Sequence, residues 1–147
     1  MPRYSGADRY FPTPSPVRRA PFIISGVPAD SFTMEETVRY AFHLMERHCR
    51  DGRPRYACTL NEDSLAGTLK LSLDAKRSAV LLNVFRQADM VMTDGDPIIR
   101  ASRFLGPTLK ERTAGADLVH RIILEASARG KSIFLLGDGD ARDTAAR

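Results

Sequence analysis

Apolar positions recur along this chain in two alternating spacings. Short runs of strand length separate stretches in which apolar residues return every three to four positions, the spacing of one helix face. Phe22–Val27 is the first run and reads as a strand or hairpin arm, closing on Gly26-Val27-Pro28. Thr33 and Glu36 have capping-box spacing. Behind them Met34, Val38, Ala41, Met45 and Cys49 predict one helix face through Arg50, stopped by Asp51-Gly52. Arg55–Leu60 predicts the next strand. Asn61 is an N-cap candidate followed by Glu62 and Asp63, which suit the positive end of a helix. Glu62–Gln87 predicts two helical pieces, marked by Leu65 and Leu69 and then by Leu81, Val84, Phe85 and Ala88, with Asp74 a cap between them.

Ala88–Thr93 is again apolar and strand-length, and Asp94-Gly95 punctuates it. Asp96 is expected to cap a helix that Pro97 opens, because the proline ring presets φ and the N–H it lacks had no partner there. Ile98, Ile99, Ala101, Phe104 and Leu105 give that helix its apolar face. Leu118, Ile122 and Ala126 predict another helix, ended by Gly130. Ser132–Leu136 has the pattern of a buried strand, and Ala141–Arg147 of the first turns of a helix. Such alternation implies an α/β fold with a mostly parallel sheet, flanking helices and right-handed crossovers.

In open α/β sheets ligands bind beyond the carboxyl ends of the strands. Thr59, Asn61 and Asp94 are expected there. Each has a plainer reading, since Asp94-Gly95-Asp96 makes a good turn and Asn61 a good cap. Gly137-Asp138-Gly139-Asp140 follows the last predicted strand like a phosphate loop, but Arg142 stands where the dinucleotide fingerprint has its third glycine.

Composition narrows the partners. The chain has 147 residues, 43% hydrophobic and 27% charged, enough for one domain with a real core. A formal charge of +4 suits anionic partners such as nucleotides, lipid diphosphates or an acidic membrane surface. No nucleic-acid motif appears, so no nucleic-acid partner is expected. Cys49 and Cys58 are not in a C-x-x-C unit, and His43 and His48 lie five apart, so neither pair has metal-site spacing. Residues 1–21, with Pro2, Pro12, Pro14, Pro16 and Pro21 among Arg3, Arg9, Arg18 and Arg19, predict a disordered basic tail ahead of a domain over 22–147. With no signal-peptide core and no run of membrane-spanning length, a cytoplasmic protein with at most peripheral membrane contact is expected.

Several short motifs occur in a particular order: Thr59-Leu60-Asn61; Ala88-Asp89 and Asp94-Gly95; Ala101-Ser102-Arg103 with Leu105-Gly106; Arg112 with Gly115-Ala116-Asp117-Leu118; and Phe134-Leu135-Leu136-Gly137. In that order they resemble the WecG/TagA/CpsF glycosyltransferase family, from about Ile23 to the end of the chain. The resemblance implies a Rossmann-like sheet. It also implies an inverting glycosyltransferase that moves a hexose or N-acetylhexosamine from a UDP-sugar to a polyprenyl-diphosphate-linked saccharide, in surface polysaccharide or teichoic acid synthesis. Asp94 would be the catalytic base. Thr59, Asn61, Gly95, Arg112, Gly115 and Gly137 would contact substrate, and no obligatory metal or other cofactor would be needed.

Three points depart from the family's pattern. The connection through Lys70–Lys76 is longer than expected. Asp96 replaces an apolar residue before Pro97, which keeps open a metal-binding D-x-D reading for Asp94 and Asp96 in a phosphate-handling enzyme. The family's later strands and motifs have no counterpart, so the chain is expected to be the amino-terminal half to two-thirds of the domain. It would then need a homo-oligomer or a completing partner, or be a non-catalytic fragment.

Overall fold

The computed structural model describes residues 19–70, 74–106 and 108–136. Within it Ser25 and Gly26 both take positive φ, 49° and 86°. That two-residue turn matches the strand twist and closes a hairpin between strands β1 (Pro21–Ile24) and β2 (Val27–Asp30). Helix α1 (Met34–Asp51) starts on the expected capping box of Thr33 and Glu36 and ends on Gly52 in the left-handed conformation. Strand β3 (Ala57–Leu60) leads to helix α2 (Glu62–Thr68) and helix α3 (Ala75–Gln87), capped by Asn61 and Asp74 as the sequence indicates. Strand β4 (Met90–Thr93), helix α4 (Asp96–Leu105) and helix α5 (Gly115–Ala128) complete the described elements.

β3 and β4 pair in parallel, Ala57 opposite Met90 and Leu60 opposite Thr93, with α2 and α3 as the crossover between them. β2 is held beside β4 by a side chain rather than a backbone ladder: the buried Asp30 carboxylate accepts the Val91 N–H at 2.8 Å. β4 is buried on both faces. Val91 joins Ile24, Val27, Leu60, Phe85, Ile98, Ile99 and Leu109 in one core cluster, on the side of α3 and α4. Met90 and Met92 join Phe32, Tyr40, Leu44 and Leu118 in a second, beneath α1 and α5.

The chain is thus mixed α/β, with one parallel and one antiparallel pair of strands among the described residues. The predicted strand Ser132–Leu136 is not formed. The segment is irregular, and Phe134 and Leu136 are 87% and 90% exposed. An apolar run becomes a strand only when another strand satisfies its backbone, and this one has no such neighbour among the described residues.

Two predicted helix faces hold only in part. α1 packs Met34, Val38 and Ala41 against the core as the sequence predicts and buries Thr37, Tyr40, Phe42 and Leu44, whereas Met45 and Cys49 are exposed, lining an open groove with Ala57 and Met90. Phe42 packs under the Arg129 guanidinium, 4.4 Å from the ring centre. α4 buries Ile98, Ile99 and Ser102 but leaves Ala101, Phe104 and Leu105 outside. Its cap is Gly95 in extended conformation rather than Asp96, which becomes the first helical residue and acts on the helix end only by charge.

Arg19 and Pro21, assigned by composition to the tail, belong to the folded body. Pro21 opens β1, and Arg19 donates from Nε to Asp30 at 2.9 Å and from a terminal nitrogen to the Ala88 carbonyl at 2.8 Å. Residues 1–18 of the predicted tail lie outside the described residues.

Candidate active site

β3 and β4 end together, so the residues just past them share one crevice. The Asp94 N–H continues the ladder by donating to the Leu60 carbonyl at 2.9 Å. The backbone of Asp94 is therefore set by the sheet, and its half-buried carboxylate faces the start of α5. One oxygen, Oδ2, accepts the Gly115 N–H at 3.0 Å, and Oδ1 lies 3.5 Å from Arg112 Nε. The contact with Gly115 has a local cause. Ala114 occupies the N-cap of α5 and has no side chain to cap with, so Asp94 supplies a carboxylate to an otherwise unpaired helix amide.

Arg112 reaches Asp94 from a loop stitched down on both sides. Lys110 donates from Nζ to both Glu36 oxygens at 2.7 and 2.9 Å, and its backbone N–H donates to Ser31 Oγ at 3.1 Å. The Glu111 carboxylate accepts the Met34 N–H at 3.0 Å. On the other side the buried Thr113 donates its N–H to the Thr93 carbonyl at 2.8 Å, prolonging β4 by one more pairing. The Arg112 guanidinium, half-exposed at 49%, stands over the crevice while its backbone is fixed.

Thr59 projects into the same space. A Cβ placed on Gly115 would lie 3.3 Å from Thr59 Cγ2 and 3.7 Å from Asp94 Oδ2, so the absence of a side chain at Gly115 lets the three residues meet. The structure therefore brings together Thr59, Asp94, Arg112 and Gly115. Asn61 sits at the rim with its side-chain oxygen committed to the Ser64 N–H at 2.9 Å, as the cap of α2. Gly95 is buried under Glu62, whose Oε2 lies 2.9 Å from where a Cβ would stand. Gly137 lies outside the described residues.

Sequence assigned Glu62 only a role at the start of a helix, not a place against Gly95, and it did not single out Thr113, the strut behind Arg112. The signal for Glu62 was its place directly after Asn61. Thr113 carried none, because its contribution is a backbone pairing.

Chemically, the cluster presents one carboxylate with spare lone pairs, one planar cation and helix amides at a strand-end crevice. That combination can accept a proton from a hydroxyl and hold the negative charge of a phosphate group. Among the described residues no group of three or more His, Cys, Asp and Glu is arranged to hold a metal ion. No described helix is long and apolar enough to cross a membrane.

The chain is 23% identical over 106 residues to the N-acetylglucosaminyldiphosphoundecaprenol N-acetyl-beta-D-mannosaminyltransferase of Bacillus spizizenii. That match covers 72% of this chain and 38% of the relative, so the chain spans well under half of the relative's length. Residues 22–147 match the glycosyl transferase WecG/TagA/CpsF family along their whole extent, and the chain belongs to that family.

Proposed function

We propose that this chain serves as an inverting glycosyltransferase, moving a hexose or N-acetylhexosamine from a UDP-sugar to a polyprenyl-diphosphate-linked saccharide. The observation that carries the reading is the Asp94 carboxylate, fixed by the sheet at the end of β4 and facing Arg112 and the first amide of α5. Family membership supports the reaction class. The relative's name, which couples an N-acetylmannosaminyl group to a diphosphoundecaprenol-linked sugar, supports the kind of donor and acceptor.

In this scheme the acceptor hydroxyl oxygen bonds to the donor's anomeric carbon while the bond from that carbon to the diphosphate oxygen breaks. Asp94 takes the hydroxyl proton. Arg112 and the amino-terminal amides of α4 and α5 receive the charge of the departing nucleotide diphosphate. Thr59 and the amide of Asn61 orient sugar hydroxyls. We take the parallel pair β3 and β4, with its helical crossover, as part of a Rossmann-like sheet, and Phe134–Leu136 as an exposed apolar run. Covering that exposed run would require a second copy or a completing partner.

The test is Asp94→Asn. Asparagine still offers an oxygen to the Gly115 N–H, so folding and UDP-sugar binding are expected to survive, while turnover falls by roughly 10²–10⁴, the range for a lost general base. Asp96→Asn should change turnover little, since that side chain acts only on the end of α4. If Asp94→Asn turns over like the unaltered chain, Asp94 is only the cap of α5. If both substitutions are equally damaging and Mn²⁺ changes the rate, the D-x-D metal reading replaces this one.

A further inference from the structure

At the end of the sheet away from Asp94 an apolar groove lies open. Ala57 and Met90, the first residues of β3 and β4, line it together with Phe42, Leu44, Met45 and Tyr56, around a cavity of about 580 Å³. Met45 and Tyr56 are 38% and 42% exposed, large apolar side chains left to water among the described residues. The rim is charged. Arg55 pairs with Asp51 and Asp89, and Arg129 with Glu125. Glu46 and Lys131 also line the groove, and neither forms an ion pair among the described residues.

The amino-terminal segment enters the body beside this groove. Arg19 is held by Asp30 and donates to the Ala88 carbonyl at 2.8 Å. The next residue, Asp89, donates its N–H to the Tyr56 carbonyl at 3.0 Å and accepts the Tyr56 N–H on Oδ2 at 3.2 Å. Met90 follows within about 7 Å of Ala88. We propose that Asp8-Arg9-Tyr10-Phe11-Pro12 of this same chain docks in the groove, with Tyr10 and Phe11 on its apolar lining and Arg9 and Asp8 meeting Glu46 and Lys131. Reach permits it: Phe11 precedes Arg19 by eight residues, about 25 Å of extended chain. Chemistry favours it: Tyr10-Phe11 is the one adjacent aromatic pair in the sequence, and Asp8-Arg9 beside it carries the two signs that the groove leaves unpaired. Pro12, Pro14 and Pro16 stiffen the segment, which lowers the entropy lost when it is held in an aromatic-lined groove. Tethering supplies an effective concentration of about 1 mM, so a weak contact is enough. A segment too polar to fold alone can still order on such a surface. Docking at this end leaves the crevice at Asp94 open.

Cys49 lines the groove, so its alkylation by iodoacetamide reports whether the groove is covered, whatever the chain catalyses. Labelling is read by peptide mass, which keeps Cys58 apart. A segment tethered at about 1 mM with a Kd of about 0.1 mM stays docked about nine-tenths of the time. Deleting residues 1–18 while keeping Arg19 should therefore speed alkylation of Cys49 roughly tenfold. Tyr10→Ser with Phe11→Ser in the full chain should give most of that increase, and Tyr4→Ser almost none. A synthetic peptide of residues 1–18, added to the shortened chain at about 1 mM, should restore the protection. Equal rates in the full and shortened chains overturn the proposal, as does a peptide that protects nothing. An unchanged rate for Tyr10→Ser with Phe11→Ser overturns it too. Protection that disappears when the full chain is diluted gives the groove to a second copy and overturns docking within one chain.

Discussion

Removing the Arg19 side chain should destabilise a strand it does not belong to. Arg19 is the cationic partner of Asp30, whose side chain is fully buried, and Asp30 in turn holds the Val91 N–H of β4. Breaking a fully buried ion pair from one side costs about 3–5 kcal/mol, because the remaining charge stays desolvated. Arg19 is 26% exposed, so water can partly replace it. The expected cost of Arg19→Ala is therefore about 2 kcal/mol, or a fall of roughly 4–8 °C in Tm for a chain of this size.

The cost also has a pH signature. Burial raises the Asp30 carboxyl above its ordinary 3.8, and the Val91 amide and Arg19 only partly offset this. For an acid whose folded pKa is raised, the cost of keeping it charged is absent below 3.8 and fully present above the folded value. Without Arg19 the folded value rises further, so the gap between the unaltered chain and Arg19→Ala should be widest at neutral pH. It should narrow as pH falls through the Asp30 titration. Urea unfolding of Arg19→Ala, Asp30→Asn and the double variant forms the assay. The reasoning fails if Arg19→Ala melts within roughly 1 °C of the unaltered chain, or if the two substitutions prove additive, since residues in direct contact should couple.

Three further outcomes are expected. Gly115→Ala should keep the fold but press on Thr59 and displace it by a few tenths of an ångström, lowering turnover roughly tenfold; Gly95→Ala, which meets only the movable end of Glu62, should change turnover much less. For Glu36, burial raises the carboxyl, but the Lys110 ammonium and the Thr33 amide outweigh it and bring it below its ordinary 4.5. Its contribution is thus present above 4.5 and lost as pH falls through the lower folded value, so Glu36→Gln should flatten that part of a stability–pH curve. Ser102→Ala leaves the buried Leu109 N–H without its acceptor and should cost about 1–3 kcal/mol in urea unfolding, with faster amide exchange at Leu109.

What the sequence determined by itself was local. The Thr33–Glu36 capping box, the Asn61 and Asp74 caps, the stop at Gly52 and the strand ending at Thr93 all formed where predicted, because each depends on neighbours within about four residues. The placement of Asp94 beyond a strand and ahead of a proline-opened helix was legible for the same reason. Tertiary structure decided the rest. Which face of α1 is buried depended on Met90, Met92 and Arg129, far away in sequence. Arg19 joined the folded body only because Asp30 is buried beside it. Whether Ser132–Leu136 formed a strand depended on a neighbour to pair with, which no apolar pattern contains. The meeting of Thr59, Asp94, Arg112 and Gly115 required two parallel strands to end at the same level, and an uncapped α5 to begin opposite them. Contacts of that kind are set by the packing of elements, not by the residues on either side of each one.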